Sequence, residues 1–447
     1  MKSIIKAIKT FDWRLWTVLA VTLLIPALYQ TVRIFFLGDI PGAWGVNIAS
    51  QLAWVNLLYE IIQEAFILPL FYLLGKSIKN KPELENKTRT GLLVSGGTYL
   101  VLSIIIAIFA KPLCQFMASD QSTLEATVSY IRLETIASTI SILVKFTTVL
   151  LVTLKKDKYM YILLGIQTAL SITLDVFLIS QFNCSAKLGV NGIAISNIIT
   201  QIVLVVITFI LLDKEGIKIF RKQKLSFGWM KEYEKIGLWS GLESLVRNVA
   251  FMLMVSRLVN VISEQGNYWI ANSFIWTWLL LPANALYDVI KKETAEDKNN
   301  ISSKTLGYLV ITTIFSILWF ASIPEWEPFL KYLMNVKDYN TVINICLVQS
   351  IFYVLYMYNC IFDGTIYGRG KTSYMFIQSV CTNGVYYVIM FILWRKGIFV
   401  PTLRSISLMF GWGMAFDLIP TIGCYVLLLK KEKVKIEWNL GKEEKID

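Results

Sequence analysis

The residues of this chain that could do chemistry are charged side chains set inside long apolar runs. An ionisable group deep in a membrane span costs at least ~2.5–3.5 kcal/mol on insertion scales, so each needs a partner or a task. Arg33 and Asp175 are two such groups. Glu60 and Glu64, spaced i, i+4, share one helix face. Two carboxylates that close in a low dielectric do not both stay ionised, which makes them candidates to carry a proton. The alternative is that one of them pairs with Lys145 or Arg33. Glu243 and Arg247 have the same spacing with opposite charges, the orientation of an intrahelical pair. Asp363 and Asp417 are single acids in later apolar runs, and Arg132 and Glu134 read as an interfacial pair.

Other chemistry is excluded by what is missing. The sequence contains 0 histidines, so it has no His-based metal site, no Ser-His or Cys-His nucleophile and no imidazole switch. The six cysteines are scattered without a CxxC and read as small apolar helix residues. No metal site, no cofactor and no enzyme activity are expected. A net charge of +12 would suit nucleic acid, but the basic residues fall in short loops between apolar runs, which argues against it.

The elements that must position these groups are membrane helices. The chain is 55% hydrophobic and 17% charged, with a mean hydropathy of +0.58, and apolar stretches of about 20 residues recur throughout. The fold class expected is all-α and polytopic, with twelve spans near 15–37, 46–75, 90–110, 124–154, 159–182, 187–212, 236–261, 267–290, 305–323, 341–366, 373–394 and 405–429. With the N-terminus inside, Lys and Arg crowd the cytoplasmic loops, densest in 213–235. The opposite loops hold only Lys111, Lys187, Lys331, Lys337, Arg395, Lys396 and Arg404. The positive-inside rule therefore sets both termini in the cytoplasm of a multi-pass cell-membrane protein. The basic 213–235 loop reads as an anchor on anionic lipid headgroups. On this topology Arg33 and Asp175 both lie about 25 Å from the cytoplasmic face and could meet.

An internal repeat divides the chain. Ile48–Trp54 (IASQLAW) is similar to Ile270–Trp276 (IANSFIW), and Lys158-Tyr159-Met160 to Ser373-Tyr374-Met375. Gly192-Ile193-Ala194 with Thr200 matches Gly413-Met414-Ala415 with Thr421, and Val32-Arg33 matches Val246-Arg247. Four matches in the same order, each about half the chain apart, predict two six-helix lobes: 1–212 and 236–429, joined by the basic loop 213–235 and followed by a charged tail, 430–447. Six spans per half make the repeat parallel, a pattern of secondary transporters with a cavity between the halves.

Several segments then resemble the multidrug and toxic compound extrusion (MATE) family, within the superfamily that also holds polysaccharide and lipid-linked precursor flippases. They are Lys187–Gln201 (KLGVNGIAISNIITQ), Leu174-Asp175, Asp363–Thr372 (DGTIYGRGKT), Pro26 and Pro69–Gly75 (PLFYLLG). The resemblance implies twelve helices in two V-shaped lobes and a monomer. It also implies export of amphipathic substrates by alternating access against an H⁺ or Na⁺ gradient. Depth, spacing and resemblance together make Asp175, Glu60, Glu64, Arg33 and Ser171 the coupling candidates. Arg247, Glu243, Asp363, Asp417, Trp54 and Trp276 are the cavity candidates. The chain departs from the family pattern where span 1 usually carries an acid, here Arg33, and where span 5 carries Asn, here Ser171. A frequent glutamate of span 7 is Arg247. Since guanidinium groups bind phosphate bidentately, the competing reading is a flippase for an anionic lipid-linked precursor. A membrane enzyme, an ATP-driven pump and a channel lack their motifs.

Overall fold

The computed structural model describes residue 8 and residues 11–40, 44–67, 69–75, 77–220 and 224–436. Arg221, Lys222 and the tail beyond 436 lie outside the described residues. Ten helices among those described are long and apolar enough to cross a membrane, making this a multi-pass helical protein. They are α1 (Trp13–Gly38), α5 (Lys81–Phe116), α6 (Leu124–Thr153), α7 (Asp157–Leu178), α8 (Val190–Lys214), α9 (Met230–Val261), α12 (Asn299–Ala321), α13 (Tyr339–Gly368), α14 (Thr372–Arg395) and α15 (Leu403–Glu432). Two further segments, α10 (Gln265–Leu279) and α11 (Leu281–Glu296), pass together but bend by 56°, with Pro282 opening the second.

The expected span 46–75 is not one helix. It is divided into α2 (Trp44–Ser50), α3 (Leu52–Phe66) and α4 (Leu70–Gly75). Pro69 sits at the second break, where it has no amide hydrogen to continue the ladder. Elsewhere single π-helical turns interrupt long helices, at Met252–Ser256 in α9, Ile275–Leu279 in α10 and Thr382–Tyr387 in α14. Such turns add one residue to the helix and re-aim the side chains beyond.

Contacts group the chain into two compact units: Leu28–Trp269 with Leu333–Lys337, and Met1–Ala27 with Ile270–Tyr332 and Asp338–Asp447. The grouping follows contact, and it sets α9 with α2–α8. In the first unit, one buried cluster centres on Phe146, Leu150 and Leu212 and another on Trp54, Tyr99 and Ile131. The second unit has a core around Ile301, Ile366, Tyr425 and Leu428.

Within the first unit, α9 lies along α3 at close range. Gly237 and Gly241 form a small-xxx-small pair against Ala65. A Cβ added at Gly237 would come within 2.1 Å of the Ala65 carbonyl oxygen, and one at Gly241 within 2.9 Å of the Ala65 Cβ. Side chains stitch the rest of the seam to backbone carbonyls: Tyr233 Oη donates to Phe66 at 2.5 Å, Ser240 Oγ to Glu64 at 2.9 Å and Asn248 Nδ2 to Leu57 at 3.0 Å. Gly237→Val is therefore expected to force α9 off α3 and to cost about 1–3 kcal/mol of stability. Thermal unfolding of the purified protein in detergent measures this, and an unchanged midpoint would remove the close-packing account.

Candidate functional site

In the first unit, α1, α6, α7 and α8 bring a buried charged cluster together. Arg33 on α1 grips Asp175 on α7 in a fork: Nε donates to Oδ2 at 2.8 Å and Nη2 to Oδ1 at 3.1 Å. The two side chains are 13% and 1% exposed. Their expected meeting is therefore realised. Arg33 Nη1 donates at 2.9 Å to Asn197 Oδ1 on α8, and Asn197 Nδ2 donates at 2.7 Å to Glu134 Oε1 on α6. The amide is oriented by its neighbours, with carbonyl toward the guanidinium and NH₂ toward the carboxylate. Ser171 is buried one turn before Asp175.

Glu134 corrects the reading of an interfacial pair. It is 3% exposed and turned inward, while Arg132 points outward and donates to the Ala107 carbonyl at 3.1 Å. Residues i and i+2 on a helix face nearly opposite ways, so the two cannot share a face. Sequence reasoning also missed Asn197. Its signal was present, in that an amide on a membrane helix needs a partner, but nothing in the sequence says which one.

This cluster edges a cavity of about 410 Å³ among α1, α2, α3, α6, α7 and α8. One face of α6 contributes Glu134, Ser138, Ser141 and Lys145, spaced i, i+4, i+7, i+11. Asn197 and Gln201 line it from α8, and the rings of Tyr29, Tyr130 and Trp269 complete the wall. The cavity joins hydrogen-bonding groups to aromatic and aliphatic surface.

A second charged cluster lies on the α3–α9 seam. Arg247 donates from Nη1 and Nη2 to Glu60 Oε1 at 3.2 and 3.1 Å, and from Nε to Glu243 Oε1 at 3.1 Å. Its Nη1 also reaches Asn248 Oδ1 at 3.0 Å. Glu60 is thus matched to Arg247, not to Lys145 or Arg33. Lys145 donates to Gln63 Oε1. Glu243 and Arg247 form the intrahelical pair expected of them.

The remaining candidates sit elsewhere. In the second unit, Asn359 Nδ2 donates to Asp417 Oδ2 at 3.0 Å and to Asp363 Oδ2 at 3.3 Å, while Thr382 Oγ1 donates to Asp417 Oδ1 at 2.6 Å. The two acids taken singly from sequence are thus bridged by one amide. Trp276 packs edge-on against Tyr353 and Tyr356, with ring centroids 6.1 and 5.2 Å away. Trp54, 0% exposed, is a core residue whose Nε1 donates to Gln51 Oε1 at 3.0 Å. Among the described residues no three Cys, Asp or Glu gather closely enough to hold a metal ion.

The helices and their buried charges define a polytopic membrane protein with ion-paired groups around an internal cavity. Its fold is that of the MATE transporters of the MOP superfamily. An inward-facing multidrug resistance MATE family transporter of that superfamily superposes with a TM-score of 0.69 over 93% of this chain and 99% of its own, at 17% identity. A MOP superfamily transporter from Pyrococcus furiosus, described as having a binding pocket of reversed polarity, gives 0.68 over 97% and 96% at 15% identity. A Vibrio cholerae MATE transporter gives 0.68 over 96% and 99% at 12% identity. No family profile matches the sequence, and no curated protein does.

Proposed function

We propose that the protein is a secondary transporter that exports small amphipathic molecules by alternating access, in exchange for protons or sodium ions. The observation that carries this reading is the charge balance beside the cavity. Asp175 and Glu134 bring two carboxylates to one guanidinium, Arg33. A second positive charge, a proton on Glu134 or a monovalent cation beside it, neutralises the cluster. Such a charge can be gained on one side of a membrane and lost on the other. The mixed cavity wall suits an amphipathic solute, with amide and hydroxyl groups on α6 and α8 facing aromatic rings.

The flippase alternative would need guanidinium groups free to take phosphate. Here Arg33 is committed to Asp175 and Asn197, and Arg247 to Glu60, Glu243 and Asn248, which favours the exporter. The MATE fold, shared with multidrug transporters of both inward-facing and outward-facing forms, supports the same reading. We place both termini in the cytoplasm on the strength of the loop charges.

Ethidium efflux from cells expressing the protein tests this. Efflux should collapse when a protonophore is added or when sodium is removed, and the sensitive condition names the ion. Absence of efflux from cells with the protein verified in the membrane would overturn the exporter reading.

A further inference from the structure

A second concave site lies in the first unit, away from the charged cavity. It is an open groove of about 1000 Å³ between the first turn of α5, the last turns of α8 and the strap Gly216–Phe220 that follows. Lys81, Lys214 and Lys218 line it, together with the apolar side chains of Phe209, Ile210 and Phe220. Phe220 is 82% exposed and meets Phe209 edge-on at 5.8 Å; Ile210 is 51% exposed. Water disfavours so much apolar surface, whereas the end of a membrane helix is where lipid can cover it.

The strap is held in shape independently of any ligand. Ile217 is buried in the core around Phe146, and the Lys218 backbone N–H donates to Glu85 Oε1 at 3.4 Å. Gly216 has φ +79°, and a Cβ there would lie 2.7 Å from Lys81 Nζ, so the glycine lets that ammonium lie over the turn. Glu85 and Asp213 also line the groove. The former is 3% exposed, and its carboxylate accepts from the backbone of the strap. Glu215 is held by Lys156 at 2.8 Å and by Tyr159, which keeps its carboxyl below the usual carboxylate range and leaves Lys214 uncancelled by it.

From this arrangement we propose that the groove is a binding site for an anionic phospholipid, with the headgroup phosphate held by Lys81, Lys214 and Lys218 and an acyl chain laid over Ile210, Phe209 and Phe220. The three ammonium groups, set against the carboxylates of Glu85 and Asp213, leave the groove with one net positive charge, the complement of a singly charged phosphodiester headgroup. The apolar wall, continuous with the outer face of α8, matches the chain. The lysines lie on the side that the loop charges assign to the cytoplasm, where anionic lipid is the natural source of phosphate. The site is independent of the transported solute, so the exporter reading and this one can fail separately.

Native mass spectrometry of the detergent-solubilised full-length protein, titrated with phosphatidylglycerol or phosphatidylcholine, tests the proposal. Phosphatidylglycerol should bind with a resolved first site, and phosphatidylcholine at least about tenfold more weakly. The triple variant Lys81→Gln, Lys214→Gln, Lys218→Gln should lose that preference. An equal loss of charge through Lys79→Gln, Lys155→Gln and Lys158→Gln should keep it. Phe220→Ser, which removes no charge, should weaken phosphatidylglycerol several-fold and leave inorganic phosphate unable to compete. Equal binding of the two lipids would overturn the site, as would equal effects of the two triple variants. Displacement of the lipid by millimolar phosphate would show an anion site without a lipid role and would overturn it too.

Discussion

Asp175→Leu alone is expected to destabilise the protein by about 3–5 kcal/mol, because it leaves the Arg33 guanidinium buried without its counter-charge. Arg33→Leu alone should cost a similar amount by stranding two carboxylates, Asp175 and Glu134. The double variant Arg33→Leu, Asp175→Leu should cost less than the sum of the two single changes, since it removes both members of the buried pair together and leaves only Glu134 without the guanidinium. Unfolding midpoints of the four proteins in one detergent close the cycle. Strict additivity of the two single costs would mean that the 2.8 Å fork contributes no coupling and that each side chain matters for some other contact.

Glu134→Gln should separate transport from folding. The glutamine keeps the shape and can still accept from Asn197, so the protein should be made and should melt near the parent temperature. What it loses is the capacity to alternate between charged and neutral. Gradient-driven ethidium movement in proteoliposomes should fall by at least about a hundredfold, comparable to removing a required ionisable group from a buried pathway. Ethidium binding, read by fluorescence anisotropy, should stay within a few-fold. Parent-like efflux by Glu134→Gln would move the coupling charge away from this cluster. Glu60 and Glu64 on α3 would then be the next pair to vary.

The contrast between Asp175 and Glu134 shows how far the sequence could be read. Arg33 and Asp175 were legible as partners because helix rise converts residue count into depth, and two opposite charges at one depth have strong reason to meet. Glu134 was legible only through a pattern that a reading of neighbouring charges passes over: Glu134, Ser138, Ser141 and Lys145 form a polar stripe at helical spacing on α6, and that stripe marks the face turned inward. The neighbouring Arg132 suggested a local pair that helix geometry forbids. Span positions came through well, because length and apolarity carry them. The break in 46–75 had a visible cause in Pro69, yet its consequence of three short helices depends on packing. The packing of α9 on α3 had a signal in Gly237 and Gly241, but a small-residue stripe names no partner. Trp54 shows the same limit from the other side: an aromatic deep in a span can serve a cavity or a core, and only its neighbours decide.

Asn197 has a consequence for how α8 joins two helices of opposite demand. A cation placed there would satisfy Glu134 and repel Arg33; an anion would do the reverse. The amide offers a negative end to one and a positive end to the other, and it brings no net charge into the apolar interior. Turning it by 180° would set like poles against both neighbours at once, so its two hydrogen bonds hold or fail together. A change in the charge of Glu134 is thus felt at Arg33 through a neutral dipole, which makes Asn197 an adaptor between an acid and a base that do not touch.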